Sequence, residues 1–266
     1  MIRALTPDDN REVMAFLEGD KELNVYLIAD IEHFGFTGKG QKRYGQFSAG
    51  KLTAIASKNY RYATFYQPHD ALDLAWIAII QSWDIAFLSA EMRILEMFKP
   101  YFDWHLDRMI YSCSEDFERD PSMDYRYVKE LNTSEDAHRI YHFLRSIAEL
   151  YSVQAQSEED YVRYLLNNTG ECGTTVFIDH DDRVIASASA VLESSDQVMI
   201  VGVAVDPNFR RHGYGKVVMH YLMDLYTQHK NKRVCLYYDD PRAEKLYWQY
   251  GFKSHGRWGM LVKLDD

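Results

Sequence analysis

Between residues 201 and 216 the chain reads V-G-V-A-V-D-P-N-F-R-R-H-G-Y-G-K, and these residue types suit one task, the holding of an anion. A β-branched apolar run ends at Asp206-Pro207, where proline, lacking an N–H, stops a strand. Gly213 and Gly215 let a backbone approach a ligand closely and take angles that other residues avoid. From Lys216 onward Val218, Met219, Leu222, Leu225 and Tyr226 fall at i, i+3, i+4 spacing, which predicts a helix. The first N–H groups of a helix have no intrahelical acceptor, and its dipole adds partial positive charge at that end. Amides of Arg211, His212, Gly213, Tyr214, Gly215 and Lys216 would then surround a diphosphate, with full charges from Arg210, Arg211 and Lys216. Charge-assisted hydrogen bonds of about 1.5–3 kcal/mol each make this the main anchor for such a ligand. The glycines alone leave an ordinary strand–helix connection equally open, and the side chain of His212 is expected to point outward.

The pattern V-x-V-D-P-x-x-R-R-x-G-x-G resembles the acetyl-CoA-binding motif of the GCN5-related N-acetyltransferases. A second stretch, L-Y-Y-D-D-P-R-A-E-K-L-Y-W-Q-Y-G-F at 236–252, resembles that family's following strand, helix and "GF". Two motifs in this order and spacing are far more specific than either alone. The resemblance covers roughly 125–264, about half of the chain.

The resemblance implies acetyl-CoA (coenzyme A) as co-substrate and a small-molecule amine or amino group as acceptor. It implies direct attack in a ternary complex, with no covalent enzyme intermediate. The main chain of Val203, Ala204 and Val205 would pair with the pantetheine arm as an added strand does, across an edge left open by splayed fourth and fifth strands. Side chains of 201–205 can serve the core at the same time. Tyr247, in the family's L-Y-x-x-x-G-F, would protonate the departing thiolate, and a phenol with a pKa of about 10 suits that role in a water-poor site. By spacing alone Ala243, Leu246, Tyr247 and Tyr250 form one helical face, which makes Tyr247 a core residue. Asp240 stands where many relatives have asparagine, and either contacts the cofactor arm or caps the helix before Pro241. Glu193, at the end of a strand, and Glu149, after a helix, are candidate general bases or solvated surface carboxylates. Family members also deprotonate the amine through ordered waters. Non-catalytic acyl-CoA binding is the alternative function, as is the aminoacyl or thiol acyl transfer of some tandem relatives.

The elements that must position these residues form two similar series. In the first half strands are expected at 2–5, 44–48, 51–57, 60–66, 85–88 and 107–114. Helices are expected after Thr6-Pro7-Asp8-Asp9, a capped start with proline at the first position, and at 21–34, 70–83 and 90–98. Residues 35–45 read as a loop, and the polar stretch 114–124 reads as a linker. In the second half strands are expected at 125–131, 174–179, 184–192, 198–205, 233–238 and 253–264. Helices open at Thr133-Ser134-Glu135-Asp136 and Ser157-Glu158-Glu159-Asp160, follow the glycine turn, and run over 242–250. Both halves thus read β-α-α-β-β-β-α-β-α-β, an α/β (α+β) mixed sheet in tandem acyl-CoA N-acyltransferase-like domains, 1–120 and 121–266. After its fourth strand the first half has Gln67-Pro68-His69-Asp70, with neither glycine nor arginine. It reads as a degenerate copy without a phosphate loop, against the alternative of an unrelated α+β domain.

Composition narrows the partners. With 47% hydrophobic and 14% aromatic residues the chain can build real cores. A formal charge of −10 argues against nucleic acid and would attract a cationic amine. Cys113, Cys172 and Cys235 lie far apart without a CxxC, and an odd count without a signal peptide fits a reducing cytoplasm. No apolar run is long enough to span a bilayer. His138 and His142 stand at i, i+4 with no third ligand nearby in the sequence, so no metal is expected. A homodimer is left open.

Overall fold

The computed structural model describes every residue except Lys39, Ala155, Asp240, Asp265 and Asp266. In chain order its elements are β1 (Ile2–Ala4), α1 (Asn10–Glu18), α2 (Val25–Phe34), β2 (Gln41–Ser48), β3 (Lys51–Asn59), β4 (Tyr62–Tyr66), α3 (Ala75–Gln81), β5 (Phe87–Glu91), α4 (Met92–Phe98) and β6 (His105–Ser114). There follow β7 (Lys129–Glu130), α5 (Ser134–Arg145), α6 (Tyr151–Gln154), α7 (Glu158–Asn167), β8 (Thr174–His180), β9 (Arg183–Val191), β10 (Gln197–Val205), α8 (Tyr214–Met223), β11 (Arg233–Tyr238), α9 (Pro241–Trp248) and β12 (Phe252–Val262). Two compact units result. One comprises Met1–Tyr111 and the segment from His255 onward, the other Ser112–Ser254.

In the first unit the strand order is β1-β2-β3-β4-β5-β12-β6. Neighbours β1 to β4 pair antiparallel, β4 and β5 parallel. The pleat sends alternate side chains to opposite faces, and each face has its own core. Ala54, Ala56, Ala63 and Phe65 pack with Trp76 and Ile80 of α3 and Leu95 and Phe98 of α4. Leu52, Ile55 and Tyr66 pack with Val13 and Leu17 of α1 and Leu27, Ile28 and Ile31 of α2. The strand expected at 253–264 as the end of the second series pairs instead with β5, from Trp258↔Glu91 to Val262↔Phe87. Alternation identifies a strand but says nothing of its partner.

In the second unit the order is β11-β10-β9-β8-β7, with the last residues of β6 beside β11. Pairing is antiparallel from β7 to β10 and parallel between β10 and β11. Helices cover both faces: Ala204 of β10 joins the core made with α5 and α7, while its neighbour Val205 faces Gly215 of α8. The fold is thus the expected mixed, mostly antiparallel sheet flanked by helices.

Several expectations change in detail; the loop expected at 35–45 ends where β2 begins, at Gln41. The strand at 125–131 shrinks to Lys129–Glu130, because the preceding residues turn on their own side chains. Ser122 N–H donates to Asp120 Oδ1 and Arg126 N–H to Asp124 Oδ1, each at 3.0 Å, as Asp does in turns. The helix at 70–83 starts only at Ala75, whose N–H is taken by Asp73 Oδ1 at 2.9 Å. The helix after the glycine turn ends in a π-helical segment, Asp224–His229, which the 3.6-residue spacing did not reveal.

The predicted cap of α5 is present: Thr133 Oγ1 accepts from Asp136 N–H at 3.1 Å. Thr133→Ala should lower the unfolding free energy by about 1 kcal/mol, read from urea denaturation followed by far-ultraviolet circular dichroism.

Candidate active site

The site is built on β10. Its parallel pairing with β11 runs from Gln197↔Arg233 to Ile200↔Leu236 and stops there, although both strands continue, to Val205 and Tyr238. On the other side β10 remains paired with β9 through Val205↔Ala186. The register with β9 slips between Val201 and Ala204, and Gly202 takes φ +62°. An extra residue there is a β-bulge, which bends the strand and raises its twist. Past Ile200 the β11-facing edge of β10 therefore presents main-chain groups with no ladder partner among the described residues. Gly202 was not among the expected site residues, though a lone glycine inside an apolar β-branched run is a signal for a bulge.

At the end of β10, Asp206 opens a short 3-10 turn, Pro207–Phe209, its carboxylate accepting from Asn208 N–H at 2.8 Å. Arg211 then takes φ +66° and Gly213 φ +90°. Two left-handed residues so close together turn successive N–H groups toward one side, a concavity of the kind that binds anions. Among the described residues no protein acceptor takes an N–H from Arg211 to Lys216; the first such bond is Val217 N–H to Gly213 O, at 3.0 Å. Arg211, His212, Gly213 and Lys216 are exposed.

The cations are unequally placed. Arg210 donates through Nε to Val205 O at 3.2 Å and through Nη1 to Glu149 Oε1 at 3.0 Å. Lys216 Nζ lies 3.7 Å from Asp120 Oδ2, and its carbonyl receives the Tyr250 hydroxyl at 2.9 Å. The ring of His212 turns back on its own loop, Nδ1 lying 2.9 Å from Arg210 O. Of the three strand residues expected to meet a cofactor arm, Ala204 is buried in the α5–α7 core, while Val203 and Val205 are half-buried.

Tyr247 lies in α9, 7% exposed, its ring 5.4 Å from that of Tyr238 and 5.9 Å from that of Phe252. Tyr238 is the last residue of β11 and donates its hydroxyl to Glu244 Oε1 at 3.1 Å. Glu193 is not brought to the open edge. Val191 pairs with Met199, so Glu193 follows at the end of β9 away from the turn. There it is held by Lys230 Nζ at 2.7 Å and Lys232 Nζ at 3.5 Å. Those lysines stand 37 and 39 positions along the chain, beyond any local reading. Glu149 instead reaches the anion turn through Arg210. Asp240 lies outside the described residues.

The histidine pair on α5 does have a companion. Glu158, at the start of α7, places Oε1 2.7 Å from His138 Nδ1 and 3.0 Å from His142 Nε2. The three share one carboxylate oxygen in hydrogen bonds, and no group of three or more such residues surrounds a point fit for a metal ion among the described residues. No described helix is long and apolar enough to cross a membrane.

Comparison with known proteins bears on this geometry. Residues 137–252 match the sequence model of the acetyltransferase (GNAT) family, so this part of the chain is a GNAT-family acyltransferase domain. A search of curated proteins finds no match. Among solved structures, a Drosophila protein superposes with TM-score 0.68 at 13% identity, covering 99% of each chain. A GCN5-related N-acetyltransferase from Sphaerobacter thermophilus gives 0.61 at 12% identity, covering 98% of this chain and 94% of its own. A tandem GNAT protein of the clavulanic acid biosynthesis pathway gives 0.57 at 12% identity, covering 100% and 99%. At such identities the likeness shows fold alone, and it extends over the first unit as well as the second. The chain has the tandem acyl-CoA N-acyltransferase-like architecture.

Helix α8 carries a titratable group at its back. His220 is 2% exposed; its Nε2 accepts from Asp120 N–H at 3.0 Å, and its Nδ1 lies 2.5 Å from Tyr125 Oη. A nitrogen that accepts carries no proton, which assigns the neutral Nδ1–H tautomer. Burial pushes the imidazole below the ordinary histidine value; Asp224 and Asp120 oppose this, while Lys216 and Arg119 add to it. As pH falls below about 6.5, the unfolded chain takes up a proton here before the folded one, so stability declines with pH. The melting temperature should fall between pH 7.5 and 5.5, and His220→Gln should flatten that dependence.

Proposed function

We propose that the chain is an acetyl-CoA-dependent N-acetyltransferase that acetylates a small-molecule amine or amino group by direct attack in a ternary complex. The observation that carries this reading is the arc of amides from Arg211 to Lys216, which has no protein acceptors among the described residues, set at the end of a strand whose outer edge is open. An arc of donors at a helix N-terminus is suited to linked phosphates, and Arg211 and Lys216 add mobile charge. The open edge of β10 from Val201 to Val205 suits an amide-bearing chain, which adds to an unpaired strand through its main-chain groups. The carbonyl of Val205 is already occupied by Arg210, so Val203 bears most of that pairing.

Bound acetyl-CoA would supply the thioester. The acceptor must be neutral to attack, and its proton leaves through water, because Glu193 is held by two lysines and Glu149 by Arg210. A departing thiolate needs a proton, and Tyr247 is assigned to give it. Its surroundings, the rings of Tyr238 and Phe252, are poor in water, and a thiolate there is costly until protonated. Net negative charge favours an acceptor that arrives as an ammonium ion. The first unit is read as a copy that binds no cofactor, since the turn after β4 lacks both glycine and arginine.

Calorimetry with acetyl-CoA tests the reading directly: saturable binding is expected, and no detectable heat or displacement at millimolar ligand ends it. Gly213→Ala separates backbone angle from bulk, because a Cβ there would meet nothing within 4 Å while φ +90° disfavours any side chain. That variant should bind acetyl-CoA about tenfold more weakly, a change of about 1.4 kcal/mol. Tyr247→Phe should cut turnover, followed as thiol release with an amine panel, by about 10²-fold or more with little change in cofactor affinity. Unchanged turnover would return Tyr247 to the core.

A further inference from the structure

Cys113, near the end of β6, and Cys235, in β11, lie on neighbouring strands and bring their sulfurs to 2.8 Å. Both are fully buried. They are thiols in the structure, yet they stand closer than two unbonded sulfur atoms ordinarily do, not far from an S–S bond of about 2.0 Å. Beside them Val234 N–H donates to Ser114 Oγ at 3.2 Å. The position is a sensitive one. On its other side Cys235 pairs with Met199, one rung before Ile200↔Leu236, the last pair before the edge of β10 opens.

We propose that Cys113 and Cys235 are an oxidisable dithiol that closes to a disulfide with a peroxide as oxidant. One sulfur, as thiolate, attacks a peroxide oxygen; the O–O bond breaks, and a sulfenic acid and water result. The second sulfur attacks the sulfenic sulfur, the S–S bond forms, and the hydroxyl leaves as water with the second proton. Two thiols and one hydrogen peroxide give one disulfide and two waters, two electrons passing from sulfur to oxygen. Full burial selects a small oxidant over a bulky disulfide such as oxidised glutathione. Once formed, the bond ties the end of β6 to β11 beside the opening and limits how far β11 can move from β10. Cys172 provides an internal reference, since it lies apart from the pair, and burial together with Glu171 and Glu193 pushes its thiol pKa up.

The full-length chain serves for the test without substitutions. It is exposed to hydrogen peroxide at concentrations that leave its circular dichroism unchanged, then quenched, alkylated with iodoacetamide in denaturant and digested without reductant. Mass spectrometry should find one cross-linked pair joining the peptides of Cys113 and Cys235, two hydrogens lighter than their sum and reversed by dithiothreitol. Full alkylation of both cysteines, after peroxide has already oxidised Cys172, would overturn the proposal. So would a cross-link from either of them to Cys172.

Discussion

The second unit is organised around a set of main-chain donors that find no acceptor among the described residues. A helix must expose its first N–H groups, and α5 and α7 cap theirs with the side chains of Thr133 and Ser157. Helix α8 instead begins at a glycine with no side chain to offer, after an arginine in the left-handed region. The donors are held in place from behind: Val218, Met219 and Leu222 are fully buried, and the hydroxyl of Tyr250 fixes the carbonyl of Lys216. Donors that need not reorganise cost little to align when a ligand arrives, which is the value of preorganisation.

The bulge at Gly202 and the early end of the β10–β11 ladder are two sides of one constraint. Parallel strands that kept full register would satisfy each other and leave no edge for a ligand. The extra residue bends β10 away while its pairing to β9 persists, so the opening costs few hydrogen bonds and the core beneath stays closed. Arg210 joins this opening to the turn, through the carbonyl of Val205, and to the segment after α5, through Glu149. One side chain thus couples the strand end, the anion turn and the segment bearing Glu149.

What was legible in the sequence was local chemistry. Proline and glycine mark the turn at 206–215, and the capping residues Thr133 and Ser157 mark α5 and α7, because those effects act within a few residues. Strand existence was legible by alternation, but pairing was not: β12 carries a strand pattern that would suit either unit, and only packing assigns it to β5. Side-chain roles that depend on distant partners were equally hidden. Glu193 looked available until Lys230 and Lys232 closed on it, and His138 and His142 lacked a partner until α7 delivered Glu158. The role of Tyr247 came only from the resemblance to a family, whereas the signal for the bulge at Gly202 is a single glycine inside an apolar strand.

The most direct test of the anion turn is hydrogen exchange at single-amide resolution, with and without coenzyme A. If the donors of Arg211 to Lys216 hold linked phosphates, those six amides exchange rapidly in the free protein and become protected together on binding, with Val203 following. Protection elsewhere in the chain, while these six amides exchange at unchanged rates, would contradict the assignment.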